Sequence, residues 1–132
     1  MADKFRFNLV SPERELMSAD VEQIDVPGSE GWFGVLAKHA PAMTTLAPGA
    51  LRIRDGSQEK RIFVRGGFAE ITPDGLTILA EEAIPVDELD AAAIAQRIHN
   101  CEEDLADADT TAETRRMAER ELQQLKEIQA AL

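Results

Sequence analysis

Apolar and polar positions alternate along the first two thirds of the chain. Phe5, Phe7 and Leu9 alternate with Arg6 and Asn8, and a period of two predicts a strand with one buried face. Val21 to Val26 predicts a second strand. Its apolar phase changes between Val21 and Ile24, so a bulge or a bend is expected there. Leu51 and Ile53 alternate with Arg52 and Arg54, Asp55-Gly56 predicts a turn, and Ile62 and Val64 mark the return strand. Phe68 to Thr72 leads into the turn signal Pro73-Asp74-Gly75, after which Leu76, Ile78 and Ala80 close the series. Short strands punctuated by regular turns predict a sandwich or flattened barrel.

Beyond Pro85 the pattern switches. All 8 glycines and 6 prolines lie at or before Pro85, and the remaining 47 residues contain neither. Without these breakers helices run uninterrupted. Ala91, Ile94, Ile98, Cys101, Leu105 and Ala108 recur at steps of three and four, which predicts one narrow apolar stripe on a helix, with Asp87 as its N-cap. Thr110 and Glu113 match a capping box. They would open a second helix with Ala118, Leu122, Leu125 and Leu132 on its stripe and Ile128 beside it. The expected fold is α+β: an antiparallel β-sandwich over residues 1–86, then a two-helix antiparallel hairpin over 87–132. A helix pair of this size is marginal alone and needs the sandwich or a partner.

Charge and composition narrow the function. The formal net charge is −11, with 12 acids against 5 bases from Asp87 onward and 13 against 9 before it. Such a balance argues against a nucleic-acid binder and against a polybasic membrane anchor. It gives the C-terminal third a basic surface as its natural counterpart. Aromatics are only 5%, without tyrosine, which disfavours a base- or sugar-stacking platform. The one cysteine excludes an intramolecular disulfide and any multi-cysteine metal site in this chain. The start, MADKFRFNLVSPERE, lacks the apolar run of a signal peptide. No segment approaches the roughly 18 apolar residues of a spanning helix, so membrane association is expected only through a partner.

No catalytic constellation is legible. His99 lies beside Asn100 on the expected first helix and reads as solvent-facing; His39, in Lys38-His39-Ala40-Pro41, reads as a loop histidine bonded to backbone, with a proton-sensitive partner contact as the sharper alternative. The glycine pair in Arg65-Gly66-Gly67-Phe68 is no phosphate loop, since neither a lysine nor a helix start follows; it suits close backbone packing or a bulge. Glu81-Glu82 and Glu102-Glu103 read as solvated faces, and Cys101 as part of the helix stripe. The stretch SEGWFGVLAKHAPAMTTLAPG, residues 29–49, stands apart. Trp32 and Phe33 sit between Gly31 and Gly34, where Phe33 is expected to face the core and Trp32 to lie near the surface as an interface anchor.

That stretch resembles the signature of the epsilon subunit family of F-type ATP synthases, the counterpart of the mitochondrial delta subunit. Gly31, Phe33, Gly34, His39, Ala40, Pro41, Thr44, Pro48 and Gly49 match the family pattern. FVRGGFAEI (residues 63–71) and LTILAEEA (residues 76–83) resemble its second and third signatures, and FNLVSPERELMSADVEQIDVPG (residues 7–28) is similar to its start. The resemblance implies a sandwich of about ten strands with a C-terminal helical hairpin, and a non-catalytic central-stalk role. The implied partners are the gamma subunit and the c-ring, and the implied place is peripheral, on the cytoplasmic face of a bacterial inner membrane. It makes Glu30, Gly31, Trp32, Phe33, His39 and Pro41 the candidate contact residues for ring and shaft. It also implies that the helices regulate ATP hydrolysis through the alpha and beta subunits, with Arg115, Arg116 and Arg120 as candidates. Members that bind ATP carry an I/L-D-x-x-R-A motif. Here Leu89 and Asp90 match, but Ala93 replaces the arginine and Ile94 the alanine, so the loss of a guanidinium removes a phosphate partner and no cofactor is expected. Two readings of other classes compete: a stand-alone nucleotide-sensing β-sandwich module and a small hydrolase.

Overall fold

The computed structural model describes residues 3–132. The chain divides between Val86 and Asp87 into two compact units.

Among the described residues the first unit has eight strands: β1 (Phe5–Val10), β2 (Glu15–Val21), β3 (Gln23–Gly28), β4 (Gly31–Leu36), β5 (Ala42–Thr45), β6 (Gly49–Asp55), β7 (Gln58–Thr72) and β8 (Gly75–Pro85). They are hydrogen-bonded in the order β2-β1-β8-β7-β6-β3-β4, with β5 also on β7. Strand β1 runs parallel to β8, whereas the other paired strands are antiparallel.

Two long strands turn this ladder into a sandwich. The first half of β7 pairs with β6 (Val64 opposite Gly49), and its second half pairs with β5 (Ala69 opposite Thr44). Between the halves the buried set changes phase, from Ile62 and Val64 to Ala69 and Ile71. Strand β8 changes phase in step, with Leu76, Ile78 and Ala80 inward before the corner and Ala83 inward after it. Since side chains alternate strictly along a strand, a one-residue phase change means that the strand leaves one sheet and enters the other. The corner is Gly66-Gly67, where both residues have positive φ, +71° and +98°. A Cβ on Gly67 would strike the carbonyl oxygen of Leu79. The glycine pair expected to allow a bulge or tight packing is this corner. Divided there, β7 and β8 supply four sheet segments, which reconciles the eight continuous strands with the expected ten.

The phase change expected near Val21 is a bend at Glu22, where β2, paired to β1, gives way to β3, paired to β4 and β6. The Glu22 amide donates to Arg54 O at 3.0 Å, which fixes that bend. One apolar cluster lies between the sheets, with Phe7, Leu9, Ile24, Val26, Leu51, Val64 and Ile78 at its centre. Burying such side chains contributes about 1.5–3 kcal/mol each and outweighs local strand propensity.

A short 3-10 turn, Val86–Glu88, straddles the division, and the second unit holds two helices, α1 (Ala91–Ala106) and α2 (Ala112–Ala131). The cap of α1 is Asp90, not Asp87: its carboxylate accepts from the amides of Ala92 and Ala93, because the 3-10 turn already occupies 86–88. Thr111, not Thr110, caps α2 by accepting from Thr114 N. Ile94, Ile98 and Cys101 are buried on α1, and Ala118, Leu125, Ile128 and Ala131 on α2. Ala91, Ala108 and Leu132, expected on the stripes, are exposed, because they lie at or beyond the helix ends. Cross-links between Arg97 and Glu121 and between Arg115 and Leu105 make the pair antiparallel.

Candidate functional site

Five of the six contact residues expected from the sequence converge. Glu30, Gly31, Trp32, Phe33 and His39 line one shallow groove of about 380 Å³ together with Ala42, Thr44 and Ile71. Pro41 is exposed and immediately precedes β5, whose Ala42 lines the groove. Within residues 29–49 the chain forms two strands, β4 and β5, on either side of the Ala37–Pro41 connection that carries His39. Both are edges, since β4 pairs only with β3 and β5 only with β7.

The tip is held firmly. Ser29-Glu30 closes the β3–β4 hairpin, with Gly28 opposite Gly31. Gly31 has φ +132°, a conformation that side-chain-bearing residues rarely adopt. A Cβ on Gly28 would lie 2.9 Å from Gly31 O and from the Phe33 ring. Cross-bonds then tie this tip to β5 and beyond. Ser29 N donates to Thr45 O at 2.9 Å, Thr45 Oγ1 to Ser29 Oγ at 2.8 Å, and Ala47 N to Pro27 O at 2.8 Å. Backbone amides and hydroxyls thus stiffen the tip without occupying the side chains that face outward.

Phe33 packs against the core, as the sequence suggests. Trp32 is 59% exposed, and its ring covers Gly49, where an added Cβ would sit 3.3 Å from Trp32 Cζ2. Trp32 and Phe33 also wall a second depression of about 490 Å³ with Asp25, Gly34 and Arg52. Arg54 pairs with Asp25 at 3.2 Å, and Gln23 Nε2 donates to the same carboxylate at 2.9 Å. His39 is half-buried. Its Nδ1 lies 2.8 Å from Ala40 O and its amide donates to Leu36 O, while Lys38 before it takes the left-handed φ of +65°.

Sequence reasoning missed two residues here. Leu36 is 56% and Met43 65% exposed, so β4 and β5 each leave a large apolar side chain in water in addition to Trp32. A large apolar side chain left in water next to a free sheet edge marks an interaction surface. The structure leaves Thr44 partly buried and Met43 exposed, but Ala42-Met43-Thr44-Thr45 carries no apolar alternation that would have shown it.

The three arginines of α2 separate. Arg116 and Arg120 are exposed, but Arg115 is half-buried and donates through its two terminal nitrogens to Leu105 O at 2.8 Å and Asp107 O at 3.4 Å. His99 is exposed and pairs with Glu103 at 2.9 Å. Cys101 is buried, and this burial pushes its thiol pKa up, with Glu121 adding to the rise. Among the described residues no group of three or more His, Cys, Asp or Glu side chains is placed to hold a metal, and no helix is long and apolar enough to cross a membrane.

Comparison with known proteins matches this architecture. Residues 4–86 match the family model "ATP synthase, Delta/Epsilon chain, beta-sandwich domain". The ATP synthase epsilon chain of Parvibaculum lavamentivorans is 49% identical over 129 residues, 97% of each chain. That of Maricaulis maris is 52% identical over 108 residues, covering 82% of this chain and 81% of the relative. A chain of the Euglena gracilis mitochondrial ATP synthase OSCP/F1/c-ring structure is 25% identical with a TM-score of 0.80, over 97% of this chain and 81% of that one. A chain from the Tetrahymena thermophila central stalk and c-ring shares the fold alone, with a TM-score of 0.59 at 17% identity over 98% of this chain and 97% of that one. The first unit is thus the β-sandwich domain of ATP synthase delta/epsilon chains. The chain belongs to the ATP synthase epsilon chain family.

Proposed function

We propose that the chain is a non-catalytic central-stalk subunit of a proton-translocating F-type ATP synthase. It couples rotation of the c-ring to the gamma shaft. The observation that carries this reading is the braced tip, where Trp32 is exposed at the groove of Glu30, Phe33 and His39, and Leu36 and Met43 are exposed on the same two edge strands. A rigid surface of this kind suits load transfer. Its exposed apolar side chains gain affinity on burial, and its fixed backbone loses little entropy on docking. The family, and the place of a similar chain in an F1/c-ring assembly, support gamma and the c-ring as the partners.

Membrane contact then comes only through the complex, on the cytoplasmic face of a bacterial inner membrane. The helices contact the alpha and beta subunits and modulate hydrolysis. ATP is not a ligand in this reading: Ala93 offers no guanidinium to a phosphate, and the Asp90 carboxylate is already engaged as the cap of α1. The same facts weigh against a stand-alone nucleotide sensor, which requires micromolar ATP binding in calorimetry. Affinity purification of the tagged chain from solubilised membranes tests the proposal. Recovery of gamma, the c-ring and the catalytic head is expected, and repeated recovery of the chain alone would refute it.

A further inference from the structure

The end of α1 is unusual in how its carbonyls are satisfied. A helix leaves its last four carbonyls without intrahelical partners, and the common remedy is a glycine in the left-handed conformation just past the end. This chain has no glycine after Gly75. The capping residue Asp107 is extended, with φ −75° and ψ 118°. Partners arrive from across the turn instead. Thr110 Oγ1 donates to Asp104 O at 2.8 Å, Arg115 Nη1 to Leu105 O at 2.8 Å, and Arg115 Nη2 to Asp107 O at 3.4 Å.

Arg115 sits in the first turn of α2, where that helix's own dipole disfavours a cation. The same charge is favourable at the C-terminus of α1, onto which the side chain folds. Its neighbours Arg116 and Arg120 remain exposed. We propose that Arg115, with Thr110, is a clasp that holds the hairpin shut at residues 107–111. The two helices can swing apart there only after the guanidinium leaves the α1 carbonyls. Arg115 therefore has two mutually exclusive uses: while it caps α1 it cannot bind a partner's carboxylate, and an acidic surface that takes it favours the open hairpin. Arg116 and Arg120 are under no such constraint.

Hydrogen–deuterium exchange with mass spectrometry on the full chain tests the clasp without reference to the ATP synthase. Losing a charged donor from the part-buried bond to Leu105 O and the exposed one to Asp107 O is expected to raise exchange of residues 103–107 about tenfold in Arg115→Ala, with the strands unchanged. Arg116→Ala should stay within about twofold of the unmodified chain, as for an exposed side chain. Arg115→Gln, which keeps helix propensity but lacks the charge and the fork, carries the same test if the alanine variant does not fold. Exchange in Arg115→Gln matching the unmodified chain would overturn the proposal. Equal acceleration in Arg116→Ala, or acceleration spread evenly over both helices, would overturn it as well.

Discussion

Replacing Gly67 with alanine should damage the protein far more than the same change at Gly56. Both glycines have positive φ, +98° and +64°. At Gly56, in the β6–β7 turn, an added Cβ meets no atom within 4 Å, so only backbone strain remains, about 1–2 kcal/mol. At Gly67 the Cβ is driven into Leu79 O, and Leu79 is itself laddered to β7 through the Phe68 pair. Backbone on a paired strand cannot swing aside as a flexible side chain can. Strain and forced displacement together amount to about 3–5 kcal/mol. That is a large share of the roughly 5–15 kcal/mol that holds a domain folded. Urea unfolding followed by circular dichroism reads the difference. With a slope of about 1.5 kcal/mol per molar, Gly67→Ala should lower the midpoint by roughly 2–3 M and Gly56→Ala by about 1 M. Equal losses in the two variants would refute the argument that Gly66-Gly67 is a sheet-crossing corner set by close backbone approach.

Other consequences are open to test. Trp32→Ala should change the unfolding free energy by less than about 0.5 kcal/mol, because the ring is mostly in water, yet weaken binding to a gamma–c-ring subcomplex about thirtyfold in surface plasmon resonance. Asp90→Ala should lower the stability of the helical unit by about 1 kcal/mol in thermal melts, while Asp87→Ala leaves it within about 0.5 kcal/mol; the reverse order would restore Asp87 as the cap. The Cys101 thiol is held neutral by burial, so its pKa is higher folded than unfolded. The stability this lends is complete below the ordinary thiol value of 9.0 and declines as pH rises past it. Cys101→Ala should flatten the loss of helicity between that value and the folded pKa. An unchanged slope would count against the assignment.

Much of the fold was legible because burial follows period. Phe5-Phe7-Leu9, Leu51-Ile53 and Ile94-Ile98-Cys101 are core positions as their spacing implies. The corner was less legible. A one-residue phase change between Val64 and Ala69 looks like two strands until the pairing with β5 and β6 is known, and pairing is a long-range property. Strands β4 and β5 were hidden because edge strands bury few side chains and show little alternation, as in Gly31–Leu36. The helix caps slipped by one to three residues, because several adjacent Asp and Thr side chains can serve and only the turn geometry selects among them. At the tip, the glycines and Trp32 were readable, whereas the exposure of Met43 and Leu36 depended on which edge each strand occupies. Arg115 shows the limit of local reading. Its partners lie 8 and 10 residues back, across a turn that residue spacing alone does not close.

Proton pumping in membrane vesicles puts the coupling role to the most direct test. Inverted vesicles stripped of their epsilon chain should regain ATP-driven acidification when this chain is added back. A folded variant with Trp32, Leu36 and Met43 all changed to serine should restore little of it. Full restoration by that variant, or none by the unaltered chain, would contradict the assignment of the braced tip as the point where the rotor grips this subunit.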